Sequence, residues 1–273
     1  MAITLPTPKN VTIIPRQPNL TFDDLPRTFI KDNPVLTALF CSLSAVFPPG
    51  ERQFIESVRY YQNQVTDPVM KKRIRAFIGQ EAHHGNQHAV FNDKIQALGW
   101  RVDLVERQTT FFNKFIKRFS PERQLAQTVA LEHLTALFAD FLMNNPTFLG
   151  DNPNQELKTL FLWHAIEETE HKAVAYDLYQ QVVGDDKLRT TEMKVILPFF
   201  MGHMIESTWL LLYKNKELSD RSGWKEAWQQ LIGKDGILTG IKDELEDYFS
   251  NDFHPWQQDN SKLANEWLGE LAL

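Results

Sequence analysis

At 273 residues with a net charge of -6, the chain is long enough to bury one substantial core and has no basic surplus suited to nucleic acid. Apolar residues make up 42% and charged residues 23%, a soluble globular balance, while 19 Phe and 7 Trp can line a deep apolar cavity as well as fill a core. The single cysteine, Cys41, excludes an intrachain disulfide and reads as a small buried hydrophobe.

The start, Met1 to Pro8, lacks the basic residues and apolar run of a secretory signal, so a cytoplasmic location is expected. Residues 1–33 hold Pro6, Pro8, Pro15, Pro18 and Pro26 without a helical period. They read as an extended lead-in that wraps a finished core, with a short strand at Val11-Thr-Ile-Ile14. Pro34 starts a helix, and Pro48-Pro49-Gly50 interrupts it or bends it sharply before a second helix over 51–64. Asp67-Pro68 opens the next helix with a cap and a first-turn proline, and Gly99 stops it. Along it Ile74, Phe77, Glu81, His84, His88 and Phe91 share one face, apolar at its ends and ligand-like in the middle.

Residues 100–119 form a connector helix outside the principal bundle. Ser120-Pro121 caps a helix carrying Glu132 and His133, with His133 pointing sideways. Asp151-Asn-Pro-Asn154 introduces a helix that runs to Gly184. Further helices follow at about 188–217, 223–232, 237–249 and 261–271. The stretch Val195–Tyr213 is mostly apolar, but Pro198, His203 and Glu206 favour a buried helix over a membrane span. Peripheral membrane contact stays open, as does a homodimer. From Lys216 onward, 12 Asp/Glu stand against 6 Lys/Arg, which reads as a solvated face. The expected organisation is a lead-in over 1–33, a helical bundle over 34–217 and an acidic helical extension over 218–273 packed on the same domain.

The chemistry concentrates in Phe161-Leu-Trp-His-Ala-Ile-Glu-Glu-Thr-Glu-His171, where His164, Glu167, Glu168 and His171 occupy about one third of a helix circumference. Such groups are costly to bury unless a proton network or a metal receives them. Glu168 and His171 form a Glu-x-x-His pair, and Glu81 with His84 forms a second. Bundles that hold two metals take one Glu from each of two helices and Glu-x-x-His from each of the other two. Glu51 and Glu132 are the single carboxylates; the lesser alternatives are a dipole cap for Glu51 at its helix start and a solvent-facing position for Glu132. One metal is then assigned to Glu51, Glu81 and His84 and the other to Glu132, Glu168 and His171, with Glu81 and Glu168 as bridges. The 48 positions between His84 and Glu132 suit one long crossover, giving an all-α, ferritin-like antiparallel four-helix bundle with additional N- and C-terminal helices. His88 and His164 face the same side as extra ligands, proton carriers or hydrogen-bond donors to the ligands; Glu167 can exchange roles with Glu168.

Three blocks, Phe47-Pro-Pro-Gly-Glu51-Arg-Gln-Phe54, Phe77 to His88 and Trp163 to Asp177, resemble a bacterial family labelled "predicted metal-dependent hydrolase". That family is similar to the ferritin-like di-iron superfamily in its ligand layout, and the resemblance spans roughly residues 35–215. It implies metal binding at Glu51, Glu81, His84, Glu132, Glu168 and His171, with His88, His164 and Glu167 at additional polar, catalytic positions. Four carboxylates and two imidazoles suit two divalent transition-metal ions, iron first, with manganese or zinc compatible. The expected reaction is oxidation or oxygenation of a small or acyl-chain apolar substrate with an external reductant. A hydrolase is the alternative, and a metal-storage protein the non-catalytic one.

Overall fold

The computed structural model describes residues 7–8 and 11–272, all-α with no β-strand among them. Asn33 accepts from the Val35 and Leu36 amides and Pro34 fills the first helical position, which starts α1 (Pro34–Tyr61). Asp67 and Pro68 do the same for α2 (Pro68–Ala97), which ends before Gly99 at φ 101°. The connector carries α3 (Val102–Ile116), and Ser120 caps α4 (Pro121–Asn144). Asn154 caps α5 (Gln155–His171), followed by α6 (Val174–Val182) and α7 (Asp186–Asn215). The tail adds α8 (Arg221–Ile232), α9 (Ile237–Gly240), α10 (Lys242–Asp247) and α11 (Ser261–Leu271).

Side-chain pairings fix the directions of the helices. Ser44 meets Asn92 while Glu51 lies beside Gly85, so α1 and α2 are antiparallel. Gln80 meets His171 while His88 meets His164, so α2 and α5 are antiparallel. Glu132 approaches His171 while Thr135 reaches Glu168, so α4 and α5 are too. It follows that α2 and α4 run the same way, and the segment holding α3 is the one long crossover of this bundle. α7 packs across α1 and α4 as a fifth member.

Four expectations are corrected. Pro48 and Pro49 do not break α1, which runs unbroken through both. A proline at 48 leaves the Ser44 carbonyl without its helical donor, and the Asn92 Nδ2 amide of α2 supplies one at 3.2 Å. Val11 to Ile14 pair with no strand; the Ile14 carbonyl instead accepts from Gln80 Nε2. The helix after Asn154 is interrupted at Lys172-Ala173, where the buried Lys172 ammonium donates to the Gln258 carbonyl and Asn260 Oδ1. The expected helix over 237–249 is likewise divided into α9 and α10.

Two apolar clusters fill the bundle. One joins the first half of α1 to Phe91, Leu137, Phe161 and Trp163, and holds the buried Cys41. The other joins Phe54 and Tyr61 to Phe77, Val129 and Tyr179. Between them lies a layer of buried polar residues from α1, α2, α4 and α5. The lead-in contributes Phe22, Leu25, Phe29 and Ile30 to the first cluster.

Candidate metal centre

The polar layer contains Glu51, Glu81, His84, Glu132, Glu168 and His171, each at most 3% exposed. Ligating atoms fall into three sets, with every atom of a set within 4.8 Å of the others: Glu51, His84 and His164; Glu81, Glu132 and His171; Glu81, His84 and Glu168. His171 Nε2 is 3.2 Å from Glu81, 3.4 Å from Glu132 and 3.5 Å from Glu168. His84 Nδ1 is 3.7 Å from Glu168 and 3.8 Å from Glu81. Glu81 and Glu168 therefore sit between the two imidazoles.

Eight atoms of this layer are buried without a hydrogen bond: both carboxylate oxygens of Glu51, Glu81 and Glu132, with His84 Nδ1 and His171 Nε2. Buried polar atoms are almost always satisfied, so convergent orphans point to a ligand. Burial and the neighbouring carboxylates push Glu51 and Glu81 well above the usual carboxylate range, and burial raises Glu132 to about 7. Burial opposes ionisation of Glu168 too, yet His171 and His164 hold its carboxyl well below that range. Divalent cations would let all four ionise together. The donor set fits them.

Both Glu-x-x-His imidazoles are held from behind. His84 Nε2 is hydrogen-bonded to Glu167 Oε2 at 3.1 Å, which leaves Nδ1 for the cluster. His171 Nδ1 lies 2.9 Å from Gln80 Oε1, which leaves Nε2. Gln80 Nε2 donates in turn to Glu170. Arg16 of the lead-in closes both branches, donating to Glu167 through its amide at 2.9 Å and its guanidinium at 3.2 Å, and to Glu170 at 2.8 and 3.0 Å. Such outer partners fix tautomer and ring orientation. Gly79 lets the lead-in approach, since a Cβ there would lie 2.7 Å from Pro15. Gly85 does the same for Glu51, whose Oε2 would be 2.8 Å from a Cβ.

The other side is different. His164 Nε2 is 3.0 Å from Glu168 Oε1, and its Nδ1 is 2.8 Å from His88 Nε2. His88 Nδ1 contacts Ser44 Oγ, which donates to Asn92 Oδ1; Asn92 Nδ2 donates to Glu106. Because the Asn92 amide spends its protons on the Ser44 carbonyl and Glu106, Ser44 donates to it and receives the His88 Nδ1 proton. His88 Nε2 then receives the His164 Nδ1 proton, which leaves Nε2 as the His164 nitrogen that faces the cluster. Burial and the neighbouring His164 hold His88 well below its ordinary range, in keeping with a neutral ring.

Of the additional polar positions, His88 and His164 lie along this line. Glu167 stands behind His84 and lies in none of the three ligand sets. His133 is outside as well, stacked on Tyr248, and burial lowers it to about 3. Sequence reading missed Arg16, Gln80, Glu170, Ser44, Asn92 and Thr135, whose hydroxyl donates to Glu168 Oε2. Only Gln80 and Glu170 had a signal, each preceding a ligand on its helix.

A cavity of about 280 Å³ reaches this layer at Thr135, His164 and Glu168. Its walls are otherwise almost wholly apolar, including Phe40, Phe47, Phe138, Phe161, Phe200 and Leu43. The 195–213 stretch contributes Phe200, Met201, Met204, Ile205, Thr208 and Trp209, whereas Tyr60, Tyr61 and Tyr176 do not line it.

Fold and site together define an all-α bundle with a buried carboxylate–imidazole cluster of the kind that binds metal. The chain belongs to the family described as "predicted metal-dependent hydrolase", which matches residues 14–259. No curated protein matches it, and no solved structure does.

Proposed function

We propose that the chain is a dinuclear-metal enzyme acting on an apolar or acyl-chain substrate. The observation that supports this is the convergence of eight buried atoms without a hydrogen bond in a layer whose His164 and Glu168 line an apolar cavity. Glu51, His84 and His164 would hold one cation and Glu132 and His171 the other, with Glu81 and Glu168 available to both. His164 would then join the ligands through Nε2. When bound, two such ions supply Lewis acidity toward a hydrolysable bond or, as iron, electrons toward O₂.

The chain's own part is to bind and exclude. The aromatic walls hold an apolar chain and keep bulk water from the centre. Arg16, Glu167, Gln80 and Glu170 keep the ligand nitrogens aimed inward. His88 accepts the His164 Nδ1 proton at Nε2, and Ser44 receives the proton on its other nitrogen. Family membership supports hydrolysis of the substrate first. Oxidation is the second reading, favoured by the carboxylate-rich donors and the apolar walls, and it requires an external reductant.

The test is anaerobic loading with Fe(II), Mn(II) or Zn(II), metal analysis, and turnover of long-chain esters and amides with and without O₂ and reductant. Two ions per chain and oxygen-independent cleavage support the hydrolase. Turnover only with iron, O₂ and reductant supports the oxidase. A protein that retains no ion after all three loadings refutes the centre.

A further inference from the structure

We propose that the outer face of α7, with the adjoining tryptophans of α8, seats the protein on a lipid bilayer, so that the cavity opens onto the membrane. α7 turns Met193, Ile196, Met204, Leu211 and Leu212 into the bundle. Its opposite side is also apolar. Val195, Phe199, Ile205, Trp209 and Tyr213 recur at intervals of four or six residues, within about one third of the helix circumference, and Ile205 is 67% exposed. On that side from 195 to 213 the charged residue is Glu206, whose carboxylate accepts from Gln108. An exposed apolar stripe of this kind marks an interaction site.

Three further observations select a membrane. First, the stripe ends in exposed lysines, Lys187 and Lys194 before it and Lys214 and Lys216 after it, and α8 adds exposed Arg221 and Lys225 beside Trp224 and Trp228. Aromatic residues bracketed by cations match the layering of acyl chains beneath anionic headgroups, although the whole chain is acidic. Second, Ile205, Trp209, Trp224 and Trp228 also line the cavity whose inner end holds His164 and Glu168. That part of the exposed face therefore forms the rim of the opening. Third, α7 is long and apolar enough to cross a membrane, yet it buries Arg189, Glu192 and His203 and packs along α1 and α4. It can lie on a bilayer without leaving the bundle. A second copy on this face would make an isologous pair that closes both openings against each other. Use of the opening by a substrate rests on the function proposed above; the docking does not.

The experiment is flotation of the full chain with vesicles of phosphatidylcholine alone and of phosphatidylcholine mixed with phosphatidylglycerol, with metal-loaded and metal-free protein. The protein should float with both, more with the anionic vesicles. Trp209→Glu/Trp228→Glu should lower the bound fraction roughly tenfold or more, and Lys187→Ala/Lys194→Ala should weaken only the anionic preference. Because all four sites are exposed, melting temperatures should stay near wild type. Quenching of wild-type tryptophan fluorescence by brominated lipid checks the same face without a substitution. Protein that stays unbound with both vesicle types and shows no quenching overturns the proposal. So does a dimer that the tryptophan variant splits while vesicles go unbound. Protein that floats yet retains no ion after loading would instead count against the proposed function alone.

Discussion

The two sides of the carboxylate–imidazole layer are built from opposite materials. Behind it, Arg16, Glu167, Gln80 and Glu170 form a closed hydrogen-bonded frame tied to the lead-in. In front, Thr135, His164 and Glu168 face a cavity walled by hydrocarbon. Orientation is supplied from one side and access is given on the other. A purely structural ion-pair cluster has no reason for this asymmetry, because its partners would close around it from both directions.

The largest break in that comparison is loss of an imidazole from the layer itself. His84→Ala or His171→Ala should lower the metal content from two ions per chain by at least one, read by elemental analysis after anaerobic reconstitution. Wild-type content in both variants would remove these histidines from the ligand set. Next comes the frame. Arg16→Met leaves the Glu167 and Glu170 carboxylates without their common cation, and both are buried. Metal affinity should fall about 10- to 100-fold in a chelator competition, because an outer partner that aims two ligands has been lost. The metal-free protein should also lose a few kcal/mol in urea unfolding. An unchanged affinity would mean that the frame holds only the lead-in.

The ligand layer can be separated from both sides by its pH response. The Glu132 carboxyl is raised to about 7 by burial, while an unfolded glutamate ionises near 4.3. A carboxyl with a raised folded value binds more protons folded than unfolded, so stability falls as pH rises between those values. Its contribution is fully present below about pH 4.3 and gone above about pH 7. Metal-free Glu132→Gln escapes that loss. It should match wild type near pH 4 and exceed it by roughly 3 kcal/mol at pH 8. With metal bound the order should reverse, because the wild-type carboxylate binds a cation that the amide holds poorly. Parallel pH profiles without metal would show that Glu132 is not strained by its burial.

The helix boundaries were legible because they are local. Asn33-Pro34, Asp67-Pro68 and Ser120-Pro121 each put a capping side chain and a first-turn proline side by side. The paired Glu-x-x-His motifs were legible for the same reason, since three-residue spacing fixes a shared face wherever the helix packs. Arg16 was not. Its partners Glu167 and Glu170 lie more than 150 positions away, and nothing in a proline-flanked segment reports which buried acids it will meet. The continuity of α1 was hidden likewise, because the donor that replaces the amide of Pro48 comes from another helix. Glu167 beside Glu168 was ambiguous at the level of a helical wheel; Arg16 distinguishes them by drawing one carboxylate to the outside of His84.

The front of the layer is probed by filling it. Ala139 lines the cavity and is almost fully buried, so Ala139→Phe should reduce binding of a long-chain apolar fluorophore while leaving two metal ions in place. The extra volume should cost about 1–3 kcal/mol of stability at most, since the cavity can receive part of the ring. Undiminished fluorophore binding would show that the occupied space lies elsewhere.

The smallest expected effect tests whether front and back are independent. Asn92 performs two tasks in front: it repairs the carbonyl left by Pro48, and it sets the direction of the Ser44–His88–His164 line. Asn92→Ala leaves the Ser44 carbonyl, the Ser44 hydroxyl and the Glu106 carboxylate each short of a partner. About 1–3 kcal/mol should be lost, toward the lower end if water enters from the crevice that Glu106 lines. The back is untouched, so metal content should remain at two ions and the His84 and His171 tautomers should not change. What should change is His88. With Ser44 free to rotate, its hydroxyl can donate to His88 Nδ1, which puts the ring proton on Nε2 and opposes the His164 Nδ1–H. Nitrogen-resolved NMR of histidine-labelled, zinc-loaded protein reads this directly. Mixed His88 tautomers in the variant against a single Nδ1–H form in wild type would show that the direction is imposed from Asn92. The same single form in both would place its origin in the metal layer itself.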